Sequence, residues 1–305
     1  MTRLLDPTLD VVFKLLFVQP DGKDCLLSLL NAVLRLPCAI DDVTVRNPEV
    51  PRLVSDKGIV LDILVSLADG RQIDVEMQAD KRPGFRKRAL LYWARMYASQ
   101  ISPGSEYTEL RPATVVVFTG YRESSADRLH SVFQVLDTED HERFTDDLAI
   151  HLVELPKLKS ISAEERKRED ALVRWVRFMT AQTAEELEEL AMTDQAIDKA
   201  KGILQRLSAD PDARELARQR ELGQHFYQYD MAESRKEGRA EGLAEGWAKA
   251  ELVTARRMLR VALAGRGFQQ SPEQEARIDG CTDPDQLSQW LQLALGASSV
   301  DEVLG

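Results

Sequence analysis

Residues 58–78, GIVLDILVSLADGRQIDVEMQ, alternate so regularly that they read as two strands joined by a tight turn. Ile59, Leu61, Ile63, Val65 and Leu67 point one way on the first strand, and Ile73, Val75 and Met77 do so on the second. The opposite face carries Asp62 and Ser66, then Gln72, Asp74, Glu76 and Gln78. A two-residue loop at Asp69-Gly70 would set apolar side chains against polar ones. A three-residue loop, Ala68-Asp69-Gly70, with Gly70 in the left-handed conformation of a bulge, keeps like opposite like. Leu67 then stands opposite Arg71, and Asp62 stands directly across from Glu76.

Directly opposed side chains have β-carbons about 4.5–5.5 Å apart, close enough for two carboxylates to grip one ion. Two such acids repel unless a cation or a proton lies between them. Divalent cations of the Mg2+ type favour carboxylate oxygens and bridge to phosphate, and the carbonyl of Met77 faces the same neighbourhood. The competing reading of these residues is an edge hairpin whose acids simply face solvent.

The rest of the chain supplies a frame for such a hairpin. Asp6-Pro7 predicts a helix opening, with an acceptor at the N-cap and proline at the first helical position. Leu9, Val12, Phe13, Leu16 and Phe17 follow at helical spacing, with Asp10 and Lys14 on another face. A second helix is expected from Cys25 to Leu34 and a strand over residues 40–46, followed by a loop over residues 47–57. After the hairpin, Lys81-Arg82-Pro83-Gly84-Phe85-Arg86-Lys87-Arg88 is the most basic stretch. It enters a helix running to about Ile101, with Leu90, Trp93, Met96 and Tyr97 apolar and Arg88, Tyr92 and Arg95 on a second face. Residues 113–119, ATVVVFT, have the continuous apolar texture of a strand covered on both faces. Further strands are expected over residues 131–136 and 150–155. An α/β core with a mixed sheet follows.

From about Lys157 no strand pattern remains. Residues 163–198 and 210–229 read as helices, and Met258 to Gly305 as a small bundle of short ones. Gly238, Gly242 and Gly246 repeat every four residues, with no strand before them and no Gly-Lys-Ser/Thr, so they do not form a phosphate loop. They read as a solvated connecting helix or as a small-residue face for a partner helix.

Composition narrows the chemistry. Among 305 residues, three scattered cysteines and an N-terminus carrying Asp6 and Asp10 fit a reducing cytoplasm without signal peptide or membrane span. A net charge of −11 argues against non-specific coating of nucleic acid, leaving a local basic patch as the place for it. His130, His141, His151 and His225 show no metal-ligand spacing, and no Gly-x-Ser-x-Gly elbow appears.

Several stretches together resemble a known family. Leu5-Asp6-Pro7-Thr8-Leu9-Asp10-Val11-Val12-Phe13-Lys14 and Val75-Glu76-Met77-Gln78 look like the Rpn recombination-promoting nucleases, also called PD-(D/E)XK nuclease-family transposases. Arg88 with Tyr92, Gly104-Ser105-Glu106-Tyr107 and Glu154-Leu155-Pro156-Lys157 are similar to its later motifs. The resemblance implies a restriction-endonuclease-like core and metal-dependent cleavage of DNA, with Mg2+ or Mn2+ as the ion. Asp62 then matches the motif aspartate, Glu76 the acid of the (D/E)-x-K step, and Asp10 the acid on the first helix. Gln78 stands in the lysine's place; it orients water by hydrogen bonding but has no positive charge. Lys81, Arg82, Arg86, Lys87, Arg88 and Tyr92 are the expected DNA contacts. The expected organisation is a nuclease domain over 1–157, a helical region over 158–256, and a small helical module over 257–305. The C-terminal helices are the expected surface for homo-oligomers. The alternative function is the same fold without turnover, serving as a DNA-binding or protein-interaction module.

Overall fold

The computed structural model describes residues 3–47, 62–168 and 170–305. The chain divides into two compact units, Met1–Gln224 and His225–Gly305. In the first, α1 (Asp10–Val18) and α2 (Lys23–Leu34) precede β1 (Thr44–Val45), β2 (Ile63–Ser66) and β3 (Gln72–Gln78). Then come α3 (Phe85–Ala98), β4 (Ala113–Thr119), β5 (His130–Gln134) and β6 (Leu148–Glu154). The helices α4 (Ala163–Arg168), α5 (Asp170–Thr180), α6 (Ala184–Thr193) and α7 (Gln195–Ala209) follow, and the start of the long helix α8 (Pro211–Gly265) completes the unit. The division between the units falls within α8.

Among the described residues the strands form one mixed sheet in the order β1-β2-β3-β4-β6-β5. β2 and β3 run antiparallel, whereas β3, β4 and β6 are parallel to one another. The hairpin register is the expected one: Ile63 pairs with Val75 and Ser66 with Gln72. The Leu67 N–H donates to the Arg71 carbonyl at 2.9 Å, and Gly70 takes φ 89°. That left-handed φ is why the turn holds a glycine. The expected strand residues 58–61 and the loop residues 48–57 lie outside the described residues.

The alternation splits the sheet into two differently covered faces. Ile63, Val65, Ile73, Val75 and Met77 join Val116, Phe118 and Val153 against Phe13, Phe17, Leu29 and Trp175 from the helices. Phe17 lies between Phe13 and Trp175, with ring centroids 4.9 and 5.7 Å away. Helices α5 and α7 share this core, so it extends well past residue 157. On the other face Leu64, Val115, Val117 and Leu152 meet Phe85 and Met96 of α3. Helix α3 is anchored at its far end, where Trp93 Nε1 donates to the Asp147 carbonyl and Tyr97 Oη to its carboxylate at 2.7 Å.

Four local expectations change. The first helix begins at Asp10, because the Asp6 carboxylate is occupied by the Thr8 N–H and hydroxyl at 2.8 and 2.7 Å and caps a turn instead. The strand over 40–46 contracts to two residues. Leu90 is about half exposed, since Phe85, Ala89 and Met96 form the buried side of α3. The helical stretch 163–198 is broken, with fresh N-caps at Thr183 and Asp194.

In the second unit, Leu259, Leu263, Ile278, Leu287, Trp290 and Val303 form a separate core. Its helices are α9 (Pro272–Gly280), opened by a Ser271/Gln274 capping box, α10 (Pro284–Ala294) and α11 (Val300–Leu304). Gly238, Gly242 and Gly246 lie inside α8 with open space beside each. Among the described residues no helix is long and apolar enough to cross a membrane.

Candidate active site

β3 lies inside the sheet, so its polar face is not the solvent face of an edge hairpin; α3 lies over it. Glu76 is 2% exposed and Asp74 fully buried, while Asp62 is half-buried at the end of β2. The two opposed acids are locked by each other's strands. The Asp62 N–H donates to Glu76 Oε1 at 3.0 Å, and the Met77 N–H donates to Asp62 Oδ2 at 2.9 Å. In a strand the N–H and C=O of one residue point to the same neighbour, so the Met77 carbonyl faces β2 as well.

Burial, and after it the Glu76 charge, push the Asp62 carboxyl well above the usual range. Burial and the charge of Asp74 do the same to Glu76. Asp74 is raised by burial and by Asp62, and neither of its oxygens finds a donor among the described residues. Two cations offset part of this repulsion: Lys14, buried in α1, acts on Asp62 and Asp74, and Arg88 acts on Glu76.

Asp10, the first residue of α1, is near enough for its charge to raise Asp62 further. Its own carboxylate is taken by Arg220 of α8, with Nε on Oδ1 at 2.6 Å and Nη2 on Oδ2 at 2.5 Å. Gln78 Nε2 donates to Glu76 Oε2 at 3.1 Å, and Gln78 Oε1 accepts from Arg88 Nη2. Tyr92, one turn after Arg88, stays a neutral phenol: burial and the Glu76 charge push its hydroxyl up to about 12.

The basic segment therefore divides. Arg88 and Tyr92 turn inward to the acids. Lys81 and Arg86 reach Glu123 in the loop after β4, at 3.3 and 3.0 Å, and Lys81 also lies 5.8 Å above the Tyr121 ring. Arg82 and Lys87 are exposed. Glu123 is placed by a buried anchor. The carboxylate of Glu154 accepts from the Glu123 and Ser124 N–H groups at 2.5 and 3.0 Å and pairs with the buried Lys157 ammonium. Lys157 also donates to Ser124 Oγ at 2.9 Å and to the Ala126 carbonyl. Glu154-Leu155-Pro156-Lys157 thus holds the loop that holds the basic segment.

Sequence reasoning did not find Arg220 or Glu123, because they reach the site only through tertiary packing. Asp74 carried a signal, its even position on the strand of Glu76, but nothing in the alternation told that it would be sealed. Among the described residues no three His, Cys, Asp or Glu side chains already form a cation cage.

A mixed sheet between helices, with acids from adjacent strands interlocked at one strand end and an acid of the first helix beside them, is the frame of a restriction-endonuclease-like fold. Residues 7–234 match the family described as PD-(D/E)XK nuclease family transposase, and the chain belongs to that family. No curated protein and no solved structure matches it. Membership carries a nuclease- or transposase-related role and implies DNA as the substrate.

Proposed function

We propose that the chain is a cytoplasmic, divalent-cation-dependent DNA endonuclease tied to recombination or transposon-like activity. The observation that carries this is the reciprocal lock between Asp62 and Glu76, which holds two mutually repelling carboxylates at one strand end. Such a pair, with the Met77 carbonyl alongside, fits a hard cation such as Mg2+ or Mn2+, which takes oxygen donors and keeps several waters. The cation, when bound, supplies a water of lowered pKa and neutralises charge building on the phosphodiester.

The chain's own residues do the rest. Asp62 and Glu76 would hold the ion, whose charge would offset that of Glu76 on Asp62 and that of Asp74 on Glu76. Gln78, a neutral donor fixed on Glu76, orients the attacking water. Asp10, paired with Arg220, flanks Asp62 from α1. Lys81, Arg82, Arg86 and Lys87 hold the phosphate backbone along the start of α3, and Arg88 and Tyr92 close the inner wall. The helical C-terminal unit serves to position DNA or to pair subunits.

A specific observation favours a second reading. Asp10 is neutralised by Arg220 and Glu76 is deeply buried, as in a fold kept for binding without turnover. Plasmid nicking with Mg2+ or Mn2+ separates the two. The endonuclease reading expects cleavage by the wild type, lost in both Asp62→Ala and Glu76→Ala. Retained DNA binding with no wild-type cleavage under either ion sinks it in favour of the binding module.

A further inference from the structure

Gln78 occupies the position where the (D/E)-x-K step has its lysine, and it carries no charge. Its carboxamide is nevertheless held at both ends, by Glu76 Oε2 on the nitrogen and by Arg88 Nη2 on the oxygen. Arginine has no acceptor, so this contact settles which end of the carboxamide is oxygen. Arg88 sits in the first turn of α3, its N–H bonded to the Gly84 carbonyl at 3.0 Å, between the buried Phe85 and Ala89. Its charge reaches Glu76 as well. Glu76, Gln78, Arg88 and Tyr92 line a cavity of ≈ 10 Å³ together with Phe85, Ala89 and Val117.

We propose that Arg88 is a positioning residue for phosphodiester hydrolysis, with the Gln78–Arg88 pair together replacing the motif lysine. Gln78 supplies the hydrogen-bond donor at the lysine's backbone position. Arg88 supplies the missing positive charge from the neighbouring helix and locks the carboxamide, so that its NH2 group stays directed at Glu76. This separates Arg88 from Lys81, Arg82, Arg86 and Lys87, which face outward and are suited to the DNA backbone. The inference rests on the endonuclease reading above and assigns a task within that site.

The test uses the full chain with Arg88→Ala, Arg88→Lys, Gln78→Lys and the double variant Gln78→Lys/Arg88→Ala. Cleavage of plasmid DNA in Mn2+ is measured beside duplex affinity in Ca2+ at several salt concentrations and beside Mn2+ affinity by calorimetry. The expected result for Arg88→Ala is a loss of at least 100-fold in cleavage rate at saturating DNA. Duplex affinity stays within twofold, its salt slope is unchanged, and Mn2+ binds no more weakly. Arg88→Lys, which keeps the charge but not the fork, recovers part of the rate. Gln78→Lys on the alanine background restores at least tenfold, which a merely structural role for Arg88 does not allow. Arg88→Gln takes the place of the alanine variant, with the same readings, should that one fail to fold.

Wild-type cleavage in Arg88→Ala overturns the inference and leaves the endonuclease reading standing. So does a more than fivefold weakening of duplex binding with a shallower salt slope and an unchanged rate at saturation, the signature of a phosphate contact. Absence of cleavage by the wild type overturns both.

Discussion

The Glu154–Lys157 anchor offers the sharpest test of how this fold is held. Both side chains are buried, 0% and 1% exposed. Burial alone would raise the Glu154 carboxyl; the Lys157 ammonium and the donors from Ser124 and Glu123 hold it below its usual range. Lys157→Met removes the charge that compensates it and keeps the volume. Breaking a buried pair by removing one partner costs about 3–5 kcal/mol. Glu154 retains two N–H donors and the Ser124 hydroxyl, so the lower end, about 3 kcal/mol, is expected. A domain of roughly 150–250 residues loses about 2–4 °C in melting temperature per kcal/mol, so the transition of the first unit should fall by about 6–12 °C. The deficit should grow with pH. In the variant the ammonium no longer holds the Glu154 carboxyl down, so its folded pKa lies higher than in wild type, and the wild-type advantage grows as the carboxyl ionises with rising pH. Thermal and urea unfolding at pH 5 and pH 8 measure both effects. The double variant Glu154→Gln/Lys157→Met should lose less than the two single losses combined by at least about 1 kcal/mol. A single variant melting within about 2 °C of wild type, or strict additivity in the cycle, refutes the buried-anchor account.

Other expectations follow from separate sites. His151 is buried against His130, with Nε2 of His130 and Nδ1 of His151 3.0 Å apart, and burial followed by the His130 charge lowers it to about 3. Its depressed folded pKa means stability present above the unfolded value of about 6.5 is lost as pH falls toward 3, about 2 kcal/mol by pH 5; His151→Gln should flatten a urea-midpoint profile over that range, and an unchanged slope rejects the assignment. Gly120 donates to the Gln78 carbonyl at 2.9 Å, and a Cβ there would lie 2.6 Å from the Ala79 carbonyl oxygen. Gly120→Ala should therefore cost about 1–3 kcal/mol by calorimetry, and a neutral result shows that the β4 end yields freely. Phe13→Ala, in the aromatic cluster beneath the sheet, should cost about 3–5 kcal/mol in denaturant unfolding.

The hairpin was legible because strand geometry has a period of two and because Gly70 admits one loop that keeps apolar opposite apolar. The register, the acid face and the pairing direction of β2 and β3 all follow from that local pattern. The exposure of the acid face does not. Asp74 and Glu76 look like surface residues by composition, and they are buried because α3 returns across them. Leu90 misleads for the same reason, since the rotation of α3 is set by Phe85, Ala89 and Met96 meeting β4. At Asp6 two local uses of one carboxylate competed, and the turn through Thr8 won over the helix cap.

By itself the sequence determined which residues share a face, which acids stand opposed and which family the motifs resemble, since these depend on neighbours a few positions apart. The tertiary structure decided what each charge meets: Arg220 on Asp10 from 210 residues away, Arg88 on Gln78, Glu123 beneath Lys81 and Arg86. Local periodicity carries no information about such partners. They are selected by where whole helices pack, because a buried charge is tolerable only where packing delivers its counter-charge or its hydrogen-bond donors.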